Sequence, residues 1–348
     1  MWAALWLAGC GGSEPAETTP PRYRLLDIGT LDGHTLDVIA INDHGDSTGT
    51  ATAPGGRVFD YVTRGASIVD LSALYAGSIA PLAINNAGWV AGRCVPDDPS
   101  DVIGFEPERP FVYDGSALRQ LHDELGEGGE AWAINDDGVI AGRTQVILET
   151  DYNQAEAFRY DGTRAELLGH LGGLYSDARG INASGQITGF SQIARELGQS
   201  PPPPYHAFRR DDAGMHDLGT LGGVQSFGAA INGAGWVTGR AQGADGAFRA
   251  FLHDGGTMQD LGLLDGRATA GTAINAAGQV VGQTWADASA DQVAVVAHDG
   301  RLHDLNALLV EPSDWRMASA LAIDVAGRVL VRGVRAGSTR SFLLVPTD

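Results

Sequence analysis

Short apolar stretches recur along the chain, and each ends in Ile-Asn or Ile-Asp with a glycine three residues further on. Successive copies lie 43 to 50 residues apart. The seven copies are marked by Ile41, Ile84, Ile134, Ile181, Ile231, Ile274 and Ile323. A period of this length indicates that one supersecondary unit is repeated, as in propellers and solenoids.

The fourth copy shows what one unit contains. Four short runs alternate apolar with polar or small residues, and turn residues separate them: Asp177–Asn182, Gln186–Gly189, His206–Arg210 and Met215–Gly219. The Asn-x-x-Gly segment between the first two runs suits a tight hairpin, because glycine takes positive φ without strain. No run keeps a helical period over about ten residues, so the sequence predicts an all-β protein built from four-stranded antiparallel units.

The two ends of the repeat array complement each other. The last copy has three strand-like runs, Ala318–Asp324, Arg328–Gly333 and Arg340–Val345, and lacks a fourth. The N-terminal segment Leu25–Gly33 matches the fourth strands of other copies. Pairing the two ends would remove an open sheet edge, whereas an open solenoid would keep it. We therefore predict a closed seven-bladed β-propeller over residues 22–348, with the last blade completed by the N-terminal strand.

One copy carries a recognisable signature. The segments His206-Ala-Phe208, Asp217–Gly223, Ala230-Ile-Asn232 and Gly235–Gly239 resemble the bacterial extracellular HAF repeat. The other copies vary at the first triplet, for example Glu156-Ala-Phe158. The resemblance implies a secreted, β-rich repeat protein and transfers no catalytic residues.

Composition excludes several functions. The formal net charge is −20, and all 23 basic residues are arginine. An acidic surface disfavours nucleic acid and anionic membrane surfaces as partners. The absence of lysine excludes Schiff-base chemistry and a phosphate-loop lysine. The sequence also lacks the serine-hydrolase elbow, the zinc-protease helix and the dinucleotide glycine fingerprint, so no cofactor is predicted.

The N-terminus has the pattern of an export signal. An apolar run over residues 1–9 ends at Cys10, and Leu7–Cys10 matches a bacterial lipobox, in which the cysteine is lipidated. Residues 11–21 are rich in Gly, Pro, Ser, Thr and Glu and predict a flexible tether. We expect an exported, lipid-anchored protein; an ordinary signal peptide is the alternative. Cys94 would then be unpaired, and we expect a small buried residue.

Histidines and acidic turns follow the repeat. His122, His216 and His303 occupy one place in three fourth strands, and His253 and His298 share another. Residues repeated in this way are distributed round a ring, so the sequence predicts no metal centre.

Two acidic turns, Asn42–Asp46 and Asn135–Gly138, sit where every copy has its hairpin. They lack the ligand spacing of a calcium hand, so we interpret them as turns, with weak surface calcium binding as the alternative.

Departures from the repeat indicate where a ligand binds. The second, third and fourth copies carry long excursions between their second and third strands, over Arg93–Pro110, Arg143–Ala157 and Phe190–Tyr205. The last copy has only Val334–Ser341 there. Insertions at one topological position lie on one face, which is commonly the binding face of repeat proteins. The alternative is that the insertions are tolerated by the fold and bind no ligand.

The excursions combine aromatic rings with carboxylates, which suits carbohydrate or peptide recognition. The candidate ligand-binding residues are Asp98, Asp101, Phe105, Glu106, Asp151, Tyr152 and Tyr205. Two functional classes follow. The first is a monomeric, non-enzymatic binding module at the cell envelope, whose partner is an envelope protein, a peptide or a glycan. The second is a carbohydrate-active hydrolase or lyase that uses loop carboxylates.

Lipidation at Cys10 is testable in a bacterial host. We expect labelled palmitate to enter the wild type and not the Cys10→Ser variant, because a lipobox cysteine is the acceptor of the lipid. If neither protein incorporates palmitate, Cys10 is an ordinary residue of the leader and not a lipid acceptor.

Overall fold

The computed structural model describes residues 19–97, 108–121, 125, 128–146, 154–193, 204–285 and 292–347. These residues form seven antiparallel sheets arranged as blades in a ring, which confirms the predicted β-propeller. The strands of a blade follow chain order from the centre outwards, and the first strands of adjacent blades contact each other. The first strands therefore surround the central axis.

The strand bounds show four main strands in every blade. The N-terminal strand is β1 (Arg22–Asp27), and the first blade holds β2 (Thr30–Leu31), β3 (His34–Ile41), β4 (Ser47–Thr52), β5 (Val58–Arg64) and β6 (Ser67–Asp70), followed by a 3₁₀ turn at Ser72–Leu74. The second and third blades hold β7 (Gly77–Ile84), β8 (Val90–Pro96), β9 (Arg109–Tyr113), β10 (Leu118–Gln120), β11 (Gly129–Ile134), β12 (Ile140–Val146), β13 (Gln154–Tyr160) and β14 (Ala165–Leu167). The fourth and fifth hold β15 (Ser176–Ile181), β16 (Ile187–Gln192), β17 (Tyr205–Asp211), β18 (Gly214–Asp217), β19 (Gly222–Ile231), β20 (Val237–Gly243), β21 (Phe248–His253) and β22 (Met258–Asp260). The sixth and seventh hold β23 (Ala268–Ile274), β24 (Val280–Trp285), β25 (Ala294–His298), β26 (Arg301–Asp304), β27 (Arg316–Ile323), β28 (Val329–Arg335) and β29 (Ser338–Thr347).

The last blade is made from both ends of the chain. Strand β1 pairs antiparallel with β29, with Leu25 opposite Leu344, so the predicted closure is confirmed. Tyr23 is buried, and its backbone bonds to Leu308 and Val310 in the segment that leads into the same blade. The N-terminal strand thereby covers an edge that the C-terminal strand would otherwise expose.

The strands beside the insertions are longer than the sequence predicted. The second-to-third-strand connections span 97–108, 147–153 and 193–204 in the second to fourth blades, and β28 and β29 are joined by the two-residue turn Ala336–Gly337. Backbone pairing continues through charged residues, as between Cys94 and Arg109, because ladder hydrogen bonds do not require apolar side chains. The sixth blade also has a longer connection, 286–293, that the sequence analysis did not single out.

The core is divided among the blade-to-blade interfaces. Seven buried apolar clusters occur among the described residues, and each combines side chains of two neighbouring blades. Between the last and first blades, Leu330 packs with Leu36, Val38 and Tyr61. Cys94 is buried at the interface of the first and second blades, as predicted. Each blade is therefore stabilised by its neighbours rather than by a core of its own.

A β-bulge interrupts the first strand of every blade at the same place, for example at Arg179 between Ala178 and Gly180. Opposite the bulge, six of the second strands carry a glycine, such as Gly189. A β-carbon there would lie 1.9–2.2 Å from a carbonyl oxygen of the first strand. The repeat glycine is therefore required by the close approach of backbone to backbone.

The repeated asparagine connects one blade to the next. In six blades its Nδ2 donates to the backbone carbonyl of the corresponding residue in the following blade, at 2.9–3.1 Å. The asparagine Oδ1 accepts backbone N–H groups of its own hairpin, as at Asn85 and Asn232. We call these six bonds the asparagine latches; their donors are Asn42, Asn85, Asn135, Asn182, Asn232 and Asn275.

The seventh position holds Asp324, whose carboxylate has no hydrogen to donate. Its oxygens instead accept from its own hairpin and from Arg328. The junction of the last and first blades relies on other bonds: Ser341 Oγ accepts from Val38 N at 2.9 Å, and Arg332 binds Asp37 at 3.0 Å.

Cys10, the predicted lipidation site, lies outside the described residues. Within the described residues, no helix is long enough and apolar enough to span a membrane.

Closure predicts a specific sensitivity to N-terminal truncation. Deleting residues 22–30 removes β1 and exposes the edge of β29, so we expect loss of soluble monomer or a large fall in melting temperature. A variant that lacks only residues 1–18 is the control, and it should melt like the full chain. Equal melting of both truncations would show that β1 does not close the ring.

The latches predict opposite effects for two reciprocal substitutions. Asn135→Asp removes a buried donor and places a carboxylate against the carbonyl of Asn182, so we expect a loss of about 1–3 kcal/mol. Asp324→Asn supplies the seventh donor while losing a partly exposed pair with Arg328, so we expect a change between zero and a gain of about 1 kcal/mol. Thermal melting of both variants measures this. A similar destabilisation by both would contradict the latch role.

Candidate functional site

The structure describes one of the predicted ligand-binding residues. Tyr205 begins β17 at the end of the fourth-blade insertion. The other candidates, Asp98, Asp101, Phe105, Glu106, Asp151 and Tyr152, lie outside the described residues. The insertions leave the ring between second and third strands, at the end opposite the Asn-x-x-Gly hairpins. Tyr205 therefore locates the candidate site in the described part of the chain.

Tyr205 belongs to a cluster of rings shared by the fourth and fifth blades. Its ring centroid lies 5.6 Å from Tyr175, 5.7 Å from Phe190 and 5.9 Å from Phe227. Phe190 and Phe227 approach to 5.0 Å, and Phe248 extends the row beyond Phe227 at 6.0 Å. These edge-to-face and tilted contacts fix the rings against one another. We call these five residues the aromatic cluster.

Arg240 lies across the inner end of the aromatic cluster. Its guanidinium carbon is 4.2 Å from the ring centroid of Trp285, 4.7 Å from that of Phe227 and 5.3 Å from that of Phe248. Its Nε is buried without a hydrogen-bond partner, and no carboxylate of the described residues pairs with it. Burial, and then the nearby charge of Arg179, lower the pKa of Arg240. The cation is thus held by ring faces rather than by a counter-ion.

Arg179 is the bulged residue of β15. It stacks on Trp132 of the third blade, with 3.8 Å from its guanidinium carbon to the ring centroid, and its Nη2 binds Asp177 at 2.7 Å. Asp177 is fully buried, and burial raises its pKa against the opposing charges of Arg179 and Arg143. The bulge thereby turns the Arg179 guanidinium towards the ring axis, while the carboxylate of Asp177 stays between blades.

A cavity of about 360 Å³ opens between these two arginines. The first and second strands of the fourth, fifth and sixth blades supply its walls. Phe190, Phe227 and Trp285 provide aromatic surface, and Thr272 and Gln283 provide neutral hydrogen-bonding groups. No aspartate or glutamate is among the described residues that line it. A concave site with apolar walls and a few convergent polar groups is typical of a small-ligand pocket.

A carboxylate–arginine network continues from the cavity into the second and third blades. Glu130 is buried, and it binds Arg93 at 2.6 Å and Arg143 at 3.0 Å. Burial alone would raise the pKa of Glu130, but the two arginines and a hydrogen bond from Glu108 lower it overall. Arg143 also donates to the hydroxyl of Tyr175 at 2.9 Å, which links this network to the aromatic cluster.

Arg93 bridges two carboxyl groups: its Nη1 lies 2.8 Å from Glu108 Oε1 and 2.6 Å from Glu130 Oε1. Burial and the adjacent Glu130 raise the pKa of Glu108 against the effect of Arg93. Glycosidases separate their two carboxyl groups by roughly 5–9.5 Å to admit the sugar and water. Glu108 and Glu130 instead share one guanidinium nitrogen as their partner.

Two of the described histidines pair with aspartates of their own blade. His206 binds Asp217 and His216 binds Asp211, each at 2.9 Å within one blade. No group of three or more His, Cys, Asp or Glu residues suited to a metal occurs in the part of the chain that the structure describes.

Arg179, Arg240 and Trp285 were not among the residues predicted from the sequence. Residues that recur in phase with the repeat were interpreted as structural, because equivalent positions are distributed round the ring. Equivalent positions in adjacent blades are nevertheless neighbours in space. The signal was the position after the second-strand glycine, which holds Arg93, Arg143, Phe190, Arg240 and Gln283 in consecutive blades.

No protein-family model and no curated protein matches the sequence. Among solved structures, the β-propeller domain of the Trilobed protease from Pyrococcus furiosus is similar at 12% identity and a TM-score of 0.50, covering 94% of this chain and 98% of that one. That domain is described as having an open velcro topology, whereas here β1 pairs with β29. A puromycin-hydrolysing peptidase of Mycobacterium tuberculosis is also similar, at 12% identity and a TM-score of 0.50 over 92% of this chain. This chain spans 53% of the peptidase. At these identities the likeness shows the fold, a seven-bladed β-propeller.

Proposed function

We propose that the protein is a non-enzymatic binding module of the bacterial cell envelope, which holds a glycan or peptide ligand against the insertion face of the ring. One observation carries the proposal: Tyr205, at the end of the fourth-blade insertion, contacts Phe190 and Phe227, which line the cavity. The aromatic surface of the cavity therefore extends to Tyr205, at the described end of the fourth-blade insertion. Its aromatic rings and hydrogen-bonding groups suit sugar rings or peptide side chains.

The proposed location rests on the N-terminal segment and on the repeat. Leu7–Cys10 would carry the lipid, and residues 11–21 would hold the propeller away from the membrane. The HAF-repeat resemblance supports membership of a secreted repeat family. A single lipid chain binds a membrane only marginally, so stable anchoring would need the several acyl chains of a lipoprotein.

The binding function is favoured over hydrolysis by the arrangement of the described carboxylates. Glu108 and Glu130 are both bound by Arg93, and Asp177 is fully buried beside two arginines. Neither arrangement offers the separated acid and base that a glycosidase uses. Hydrolase or lyase chemistry by insertion carboxylates is the competing outcome of the experiment below.

The experiment is a glycan and cell-wall peptide array, probed with the wild type and with a variant whose connections 97–108, 147–153 and 193–204 are shortened to the length of the fifth-blade turn Ala244–Ala247. We expect the shortened variant to lose its ligand by at least tenfold in affinity, because burial of each aromatic ring contributes about 1–3 kcal/mol.

Val325→Ser is the matched control, because Val325 is 72% exposed in an Asn-x-x-Gly-type hairpin at the opposite end of the ring. It should bind like the wild type. Binding that survives shortening of the insertions would place the site elsewhere. Turnover of a bound glycan, abolished by replacing insertion carboxylates, would assign the protein to the enzyme class.

A further inference from the structure

An arginine with no counter-ion among the described residues lines a cavity of this strongly acidic protein. The chain has a formal charge of −20, yet the cavity between the fourth, fifth and sixth blades is lined by Arg179 and Arg240 and by no acidic residue among those described. Asp177 neutralises Arg179, whereas Arg240 has only ring faces as partners among the described residues. The cavity therefore carries an excess positive charge.

We propose that this cavity is a carboxylate subsite and that the ligand is an acidic saccharide, with a uronate carboxylate bound at Arg240 and the sugar ring placed towards Trp285. This proposal rests on the proposed binding function and names its ligand class.

The geometry of Arg240 supports a carboxylate. The guanidinium carbon lies over the rings of Phe227 and Trp285, and its two Nη groups have no hydrogen bond within the described residues, so they are left to bond a ligand. A guanidinium edge matches the two oxygens of a carboxylate, and such charge-assisted bonds are stronger than neutral ones. Rings on which the guanidinium is stacked also restrict its rotamers, so little entropy is lost on binding.

The remaining lining supports a sugar. The Trp285 side chain is 47% exposed and presents a large aromatic surface at the cavity. Gln283 both donates and accepts hydrogen bonds, as sugar hydroxyls require. A volume of about 360 Å³ is near the lower end of small-ligand sites, which span roughly 300–1,000 Å³, and suits one or two sugar rings.

The acidic exterior limits the ligand further. A polyanion would place its other charges against a surface of like sign, which costs free energy at low salt. A saccharide with one acidic unit avoids this repulsion and keeps the attraction inside the cavity. We therefore expect a ligand with isolated carboxylates rather than a dense polyuronate.

The test is isothermal titration of the intact protein with a disaccharide that carries one glucuronate and with the methyl ester of the same disaccharide. The ester keeps the sugar rings and removes the charge. We expect the acid to bind at least tenfold more tightly than the ester. Equal binding of acid and ester would overturn the proposal without any variant.

Two variants locate the site. Arg240→Gln should weaken binding of the acid at least tenfold and leave binding of the ester unchanged. Arg332→Gln is the matched control: it changes an arginine at the equivalent strand position of the seventh blade, where Asp37 already neutralises it, and should alter neither affinity. Unchanged binding of the acid to Arg240→Gln would also overturn the proposal.

Two further outcomes separate this inference from the proposed function. If a neutral glycan or a peptide binds through the insertions while the glucuronide does not bind, the ligand class proposed here is wrong and the binding function stands. If an acidic peptide binds in the cavity through Arg240 in preference to the glucuronide, the saccharide is wrong. If no array ligand depends on the insertions but the glucuronide binds through Arg240, the subsite stands without the insertion surface.

Discussion

The hydrogen bond from an asparagine side chain to the carbonyl of the next blade is the interaction on which the ring depends. Each asparagine is more than nine-tenths buried, so its polar groups must be bonded within the protein. Oδ1 closes its own hairpin, and Nδ2 reaches the following blade, as from Asn85 to Asn135. One side chain thus sets both the local turn and the docking of two sheets, which explains why Asn-x-x-Gly recurs in phase with the blades.

These constraints divide the molecule into a fixed end and a variable end. The hairpin end holds the asparagine latches, and in six blades a glycine opposite the bulge holds the first two strands in close contact. The other end carries connections that differ in length from blade to blade, and the cavity opens among the first and second strands of three blades. Because the latches fix the blades, side chains such as Arg179 and Arg240 can face a cavity while the ring keeps its geometry.

The sequence predicted the architecture well, because periodicity reports burial and turn geometry directly. The number of blades, the hairpins and the pairing of β1 with β29 all followed from the repeat and from its missing fourth strand. Strand ends were predicted too short, since pairing continues through polar residues such as Arg109. The cavity could not be predicted, because it depends on bulges that change the direction of single side chains such as Arg179. Most of the predicted insertion residues lie outside the described part of the chain, so those predictions stay predictions.

The central claim is that asparagine latches hold the hairpin ends of adjacent blades together, and hydrogen exchange of the intact wild-type chain tests it most directly. The junction of the last and first blades has Asp324 in place of a donor. The hairpins of Asn42 and Asp324 each take part in one latch, whereas the other five hairpins each take part in two. We expect peptides covering 40–47 and 320–330 to exchange faster than the other five hairpin peptides, while β1 exchanges as slowly as the outer strands of other blades. Uniform exchange of all seven hairpin peptides would contradict the claim.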